Sequence, residues 1–141
     1  MTEFRGYSCL VRPRWSDMDV FGHINHANMV TLLEEARVAL LFRSEAGREL
    51  AKGVVVVDLA VSYRAPIVVG DQDVLMQLSL RECRHASFTI DYRVFGGPEE
   101  TAKPAVTART VLAPYDLASG TPRRLSETER SFLTERLGSG G

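Results

Sequence analysis

Three stretches of the chain alternate apolar and polar residues with a period of two. From Val54 to Arg64 the odd positions carry Val55, Val57, Leu59, Val61 and Tyr63, while Asp58, Ser62 and Arg64 fall on the even side. That pattern predicts a strand with one buried face. Val74, Met76, Leu78 and Leu80 are set against Gln77, Ser79 and Arg81, and Phe88, Ile90, Tyr92 and Val94 against Thr89, Asp91 and Arg93, which predicts two more strands. Residues Ala105 to Ala113 bring Val106, Ala108, Thr110 and Leu112 to one side, and Tyr7, Cys9 and Val11 suggest an opening strand. Short connections at Gly70-Asp71, Cys83 to Ala86 and Gly96-Gly97-Pro98 leave no room for crossover helices, so the five strands are expected to pair as an antiparallel meander.

The period changes between Ala27 and Arg43, a stretch without Gly or Pro that is apolar nearly all round. A surface helix would show one apolar stripe, so this helix is expected to be largely enclosed by the sheet. Its Glu34, Glu35 and Arg37 then call for an exposed end, a subunit contact or a site. Ser126-Glu127-Thr128-Glu129 opens a capping-box pattern and predicts a short helix to Leu137 with Phe132, Leu133 and Leu137 facing inward. Ser139-Gly140-Gly141 reads as a flexible end. Strands and helices together make one α+β domain over residues 1–138.

A length of 141 residues, 45% hydrophobic and 25% charged, suits one domain with one core. Seventeen Lys and Arg against 18 Asp and Glu give a net charge of -1, so there is no overall field to hold nucleic acid or an anionic membrane, and any polyanion must meet a local patch. The longest apolar run, Val38 to Phe42, is far short of the roughly 18 residues of a membrane span. Met1 to Cys9 lacks the order of a secretory leader. The expected location is the cytoplasm, where Cys9 and Cys83 are read as free thiols.

Between the first strand and the long helix, residues 15–28 pack Asp17, Asp19, His23, Asn25, His26 and Asn28 into one connection. Asp17-x-Asp19-x-x-Gly22 copies the start of a calcium loop, but Phe21 occupies a ligand position and Asn28 stands where a bidentate Glu is needed. His23 and His26 could share a zinc with a third ligand, but neither Cys nor a further His lies nearby in sequence, so no metal is expected. The helix start gives a better account. Its first backbone N–H groups, near His26 and Ala27, lack helical partners and carry the positive end of the dipole. An acyl carbonyl lying there would be stabilised as it becomes tetrahedral, and Asp19 could attack its carbon or deprotonate a water that does. Asp17 and Asn28 are equally readable as turn and cap residues, and His23 and Asn25 as residues that hold the loop.

Asp17-x-Asp19-x-x-Gly22-His23-Ile24-Asn25-His26-Ala27-Asn28 leading into Leu33-Glu34-Glu35-Ala36-Arg37, followed by Tyr63-Arg64-Ala65-Pro66-Ile67-Val68-Val69-Gly70-Asp71, resembles the hotdog-fold thioesterases. It resembles more closely the 4-hydroxybenzoyl-CoA thioesterase-like acyl-CoA thioesterases, over nearly the whole chain. The resemblance implies a hotdog fold, an antiparallel sheet wrapped around one long helix, paired through its edge into a homodimer or a dimer of dimers with sites between subunits. It implies an acyl-CoA substrate and no cofactor beyond the coenzyme A of that substrate. Asp19 matches the family's catalytic carboxylate and the His26 N–H its oxyanion donor, with His23 and Asn28 supporting the loop. Arg84, His85 and Ser87 match a turn that carries basic residues for the coenzyme A phosphates, although Ala86 fills the third basic position. Arg64 and Arg109 are further phosphate partners, Glu34 and Glu35 reserve carboxylates, and Val57, Leu59 and Phe88 acyl-pocket walls. The rival readings are a hotdog hydratase or dehydratase using His23 and Asp19, and a non-catalytic acyl-CoA-binding protein.

Overall fold

A computed structural model describes residues 4–42, 45–68, 70 and 72–138. The helix end at Arg43, the motif positions Val69 and Asp71, and the tail Ser139 to Gly141 lie outside the described residues. Strands β1 (Tyr7–Val11), β2 (Val54–Tyr63), β3 (Val74–Cys83), β4 (Phe88–Val94) and β5 (Val106–Asp116) form one curled antiparallel sheet. A two-residue β6 (Thr121–Pro122) pairs with the end of β5. Helix α1 (His26–Phe42) packs on one face of the sheet, α2 (Glu45–Ala51) follows it, and α3 (Glu127–Leu137) closes the chain. This is the α+β hotdog architecture expected from the sequence.

The alternation in β3, β4 and β5 reads correctly: Val74, Met76, Leu78, Phe88, Ile90, Tyr92, Val94, Val106, Ala108, Thr110 and Leu112 are all buried. They meet Met29, Leu32, Leu33, Ala36 and Leu40 of α1 in one core, and each large side chain so buried contributes about 1.5–3 kcal/mol of transfer free energy. In α3 the Ser126 hydroxyl accepts from the Glu129 N–H (3.1 Å) while the Glu129 carboxylate accepts from the Ser126 N–H (2.8 Å), and Phe132, Leu133 and Leu137 are buried as expected.

Four expectations need correction. The sheet order is β1-β3-β4-β5-β2, so only β3, β4 and β5 form the meander. β2 pairs with β5, and the chain then crosses to β3 through the segment around Ile67, which bonds to the loop before α1 instead of turning a hairpin. Second, β2 has no buried face in the single chain: Val55, Val56, Val57, Leu59 and Tyr63 are 38–63% exposed because β2 is an edge strand. A bulge between Val56 and Asp58 also breaks the odd-numbered stripe. Leu59, Val61 and Tyr63 share the core side with Thr110, Ala108 and Val106, whereas Val55 pairs with Ala113 on the other side. Third, α1 is not enclosed. Its buried residues form one stripe, and Val38 and Phe42 on the far side are 45% and 57% exposed. Fourth, α2 carries no apolar period strong enough to have been read, and the sequence left it unassigned.

Candidate active site

Two bonded layers build the loop before α1. In the inner layer, a 3₁₀ turn at Trp15–Asp17 buries the Asp17 carboxylate. That carboxylate accepts the Arg14 N–H (2.7 Å), the Arg14 Nε (3.2 Å) and the Asn28 Nδ2 (3.2 Å). Burial pushes the Asp17 carboxyl up, but the Arg14 and Asn28 hydrogen bonds and the Arg14 charge outweigh it and hold its pKa below the ordinary value. Asn28 also donates to the Ser16 carbonyl (3.2 Å), which ties the first turn of α1 to the loop. Arg14 reaches on to Glu35 (3.2 Å), so Glu35 is part of this brace.

The outer layer holds Asp19. Its Oδ1 accepts the backbone N–H groups of Phe21 (2.8 Å) and His23 (3.2 Å). The turn is closed by Asp19 N–H to the His23 carbonyl (2.7 Å) and Gly22 N–H to the Asp19 carbonyl (3.2 Å). Gly22 sits at φ +77° with open space where a Cβ would stand, so only conformational strain selects glycine there. One carboxylate oxygen is thereby fixed by the backbone, and the other has no hydrogen-bond partner among the described residues. Behind this turn, the Ile24 N–H donates to the Ile67 carbonyl (2.8 Å) and His23 bridges to Val68. These bonds pin the loop to the segment after β2.

The helix start is capped by Asn25. Its Oδ1 accepts from Ala27 (2.8 Å) and Asn28 (3.4 Å), and its carbonyl takes the Met29 N–H (3.0 Å). Of the first-turn donors, only the His26 N–H has no partner among the described residues, and it carries the positive end of the α1 dipole. The Tyr63 hydroxyl donates to the His26 carbonyl, and the two rings meet edge to face at 6.4 Å and 85°. Burial pushes the pKa of the Tyr63 hydroxyl above its ordinary value. Asp19, His23, His26, Met29, Tyr63 and Arg64 share the wall of one cleft of about 370 Å³.

The structure thus brings together Asp19, His23 and His26, and Asn28 braces them from behind. Other expected positions are elsewhere. Arg84, His85 and Ser87 form the β3–β4 turn, where Arg84 pairs with Glu82 (2.7 Å), the Arg84 N–H bonds the Ser87 carbonyl (2.8 Å) and the His85 carbonyl takes the Leu125 N–H (2.8 Å). Asp19 shares its cleft with Val106, which pairs with Val94, whereas this turn precedes Phe88 at the other end of β4. Seven residues of strand separate the two ends by about 20 Å. Val57 and Leu59 do not wall the cleft in the single chain, because they lie on the exposed β2 edge; Phe88 is core. Glu34 and Glu35 are also outside its walls. Sequence reasoning passed over Tyr63 as a site residue and gave Asn25 no definite role. The available signals were an N-cap residue type just before the helix and the Tyr63 position at the start of the second motif. Among the described residues, no three of His, Cys, Asp and Glu gather in a group that could hold a metal ion.

Comparison with known proteins assigns the chain a family and its fold close relatives in shape. The model of the thioesterase-like superfamily matches residues 13–134. A search of curated proteins finds no match. Among solved structures, a thioesterase from Thermus thermophilus complexed with coenzyme A and zinc is 25% identical, with TM-score 0.76 over 95% of this chain and 96% of that one. The PA5185 protein of Pseudomonas aeruginosa strain PAO1 is 22% identical, with TM-score 0.81 over 96% and 94%. YbaW of Escherichia coli, named a probable thioesterase, is 23% identical, with TM-score 0.76 over 93% and 98%.

Proposed function

From the premise that the chain belongs to the thioesterase-like superfamily, we propose that it hydrolyses the thioester of an acyl-CoA to a carboxylic acid and coenzyme A. The observation that carries this reading is the pairing, in one cleft, of an Asp19 carboxylate with one oxygen fixed by the backbone and a His26 N–H at the α1 start, the other Asp19 oxygen and that N–H having no partner among the described residues. The thioester carbonyl oxygen lies against the His26 N–H, where developing negative charge is stabilised. In the general-base form, Asp19 takes a proton from a water whose oxygen bonds to the carbonyl carbon. The C–S bond then breaks, and the departing thiolate receives the proton held by Asp19. In the nucleophilic form, the Asp19 oxygen bonds to that carbon, the thiolate leaves, and water hydrolyses the anhydride. The coenzyme A bound to the 25% identical Thermus thermophilus structure supports a CoA-linked substrate.

The working unit in this reading is a homodimer joined along β2. The unpaired edge of that strand exposes Val55, Val56, Val57 and Leu59, an arrangement that a two-fold axis covers by continuing the sheet. Val57 and Leu59 then contribute acyl-pocket walls at the subunit boundary. A panel of acyl-CoAs of varied chain length and ring content, with detection of released thiol and of double-bond hydration, tests the activity. Thiol release from at least one ester is expected. No release from any ester, together with hydration of an enoyl-CoA, would overturn the reading.

A further inference from the structure

The face of the sheet turned away from α1 carries a concentration of positive charge that the net charge of -1 does not suggest. Arg64, Arg81, Arg93 and Arg109 line one groove of about 500 Å³, with Asp91 as the only acidic residue among the described residues of its wall. Asp58, Ala60 and Ser62 of β2, beyond its bulge, and the polar stripes of β3, β4 and β5 face this side, since the core takes the alternate positions. Asp91 is used within the groove: its carboxylate accepts from Arg81 Nε at 3.0 and 2.8 Å and from Arg109 Nε at 3.5 Å. Arg64 and Arg93 have no carboxylate partner among the described residues. Both flank Thr107: Arg64 Nε donates to its hydroxyl (3.3 Å), and Arg93 is its cross-strand partner. Arg93 is further steadied over the Phe95 ring at 5.5 Å. The neighbouring Gln77, opposite Arg93, engages the Glu100 carboxylate through its amide (2.6 Å).

The position of this patch gives it a role. Arg64 stands in the wall of the groove and also in the wall of the Asp19 cleft, so the two depressions meet at that residue. An extended ligand whose reactive end lies at Asp19 can therefore pass over Arg64 and lay an anionic end along the groove. Guanidinium forks bind phosphate oxygens in pairs and stay charged at any working pH. We propose that Arg64 and Arg93, with Arg109 behind them, bind the phosphates of the nucleotide end of the acyl-CoA. This assignment rests on the thioesterase reading for its substrate. It can nevertheless be tested apart from that reading, because the nucleotide binds without the thioester.

Titration calorimetry with adenosine 3′,5′-bisphosphate and kinetics on matched acyl-CoA and acyl-pantetheine thioesters form the test. The wild-type protein is expected to bind the bisphosphate, more weakly as salt rises. The double variant Arg64→Ala/Arg93→Ala is expected to weaken this binding about tenfold or more, and to lower kcat/KM for the CoA ester by a similar factor through KM while sparing the pantetheine ester. Arg93→Ala alone, outside the cleft, gives a smaller change in the same direction. Equal losses on both esters, unchanged bisphosphate affinity in the double variant, displacement by inorganic phosphate at the same concentration, or loss with Arg84→Ala instead would overturn the assignment. If neither ester is hydrolysed by the wild type, the proposed function falls, and the calorimetry alone decides the groove.

Discussion

Asp17 and Asp19 stand two residues apart in opposite environments. Asp17 is 2% exposed and bonded to Arg14 and Asn28, whereas Asp19, in the cleft wall, spends one oxygen on the backbone and leaves the other without a hydrogen-bond partner among the described residues. Asp19→Asn preserves shape but removes charge and basicity, so kcat is expected to fall by roughly 10²–10⁴, read from thiol release. Asp17→Asn should act on stability instead. The Asp17 carboxyl has a lowered folded pKa, as does Glu129, where burial raises it but the Arg123 and Ser126 hydrogen bonds outweigh that burial. The stability these two supply is present above their unfolded values, about 4, and is lost as pH falls through their folded values. Wild-type thermal midpoints should therefore drop as the pH is lowered below about 4. Asp17→Asn should be less stable at pH 7 by about 1–3 kcal/mol and show a shallower drop. An Asp17→Asn protein that keeps its midpoint but loses catalysis would exchange the two roles.

At the scale of elements, the start of α1 is where local sequence and chemistry coincide. Asn25 satisfies two of the early N–H groups and leaves that of His26 without a partner among the described residues. Asn25→Ala frees those donors and loosens the first turn, at a cost of about 1 kcal/mol. In the proposed reaction it should lower kcat more than it raises KM, because the loosened turn carries the His26 N–H assigned there as the oxyanion donor. A midpoint shift with unchanged kcat would separate the cap from the site. The helix was legible from Ala27 onward, one residue late, because its composition and period rest on contacts within a few positions, whereas the cap was expected at Asn28 and the structure places it at Asn25. The β2 stripe was misread for the converse reason. Its bulge between Val56 and Asp58 depends on pairing with β5, about fifty residues away, and shifts every later side chain by one face.

For the molecule as a whole, the exposed β2 edge and the uncovered side of α1 at Val38 and Phe42 are the surfaces a partner would cover. A lysine on a strand edge opposes further pairing by leaving a charge against the neighbouring strand. Val57→Lys, at a position 63% exposed in the single chain, should fold as the wild type does. Sedimentation equilibrium should give a single-chain mass of 15.6 kDa for the variant and twice or four times that for the wild type, with thioesterase activity lost alongside assembly. A wild-type species at the single-chain mass with full activity would sink the dimeric site.

The sequence by itself determined the class of fold, the inward residues of β3, β4, β5 and α3, and the segment that holds Asp19 and the start of α1. Each of these is written in short-range periods, caps and motif spacings. Only the tertiary structure decided that β2 crosses to pair with β5 as an edge, that Tyr63 and Arg64 close the cleft beside His26, and that the Arg84 turn stands at the opposite end of the sheet. Those facts depend on strand order and register, which are set by burial and hydrogen bonding between residues far apart in the chain. A pattern of alternating side chains is the same for an edge strand and a central one until its neighbours are known.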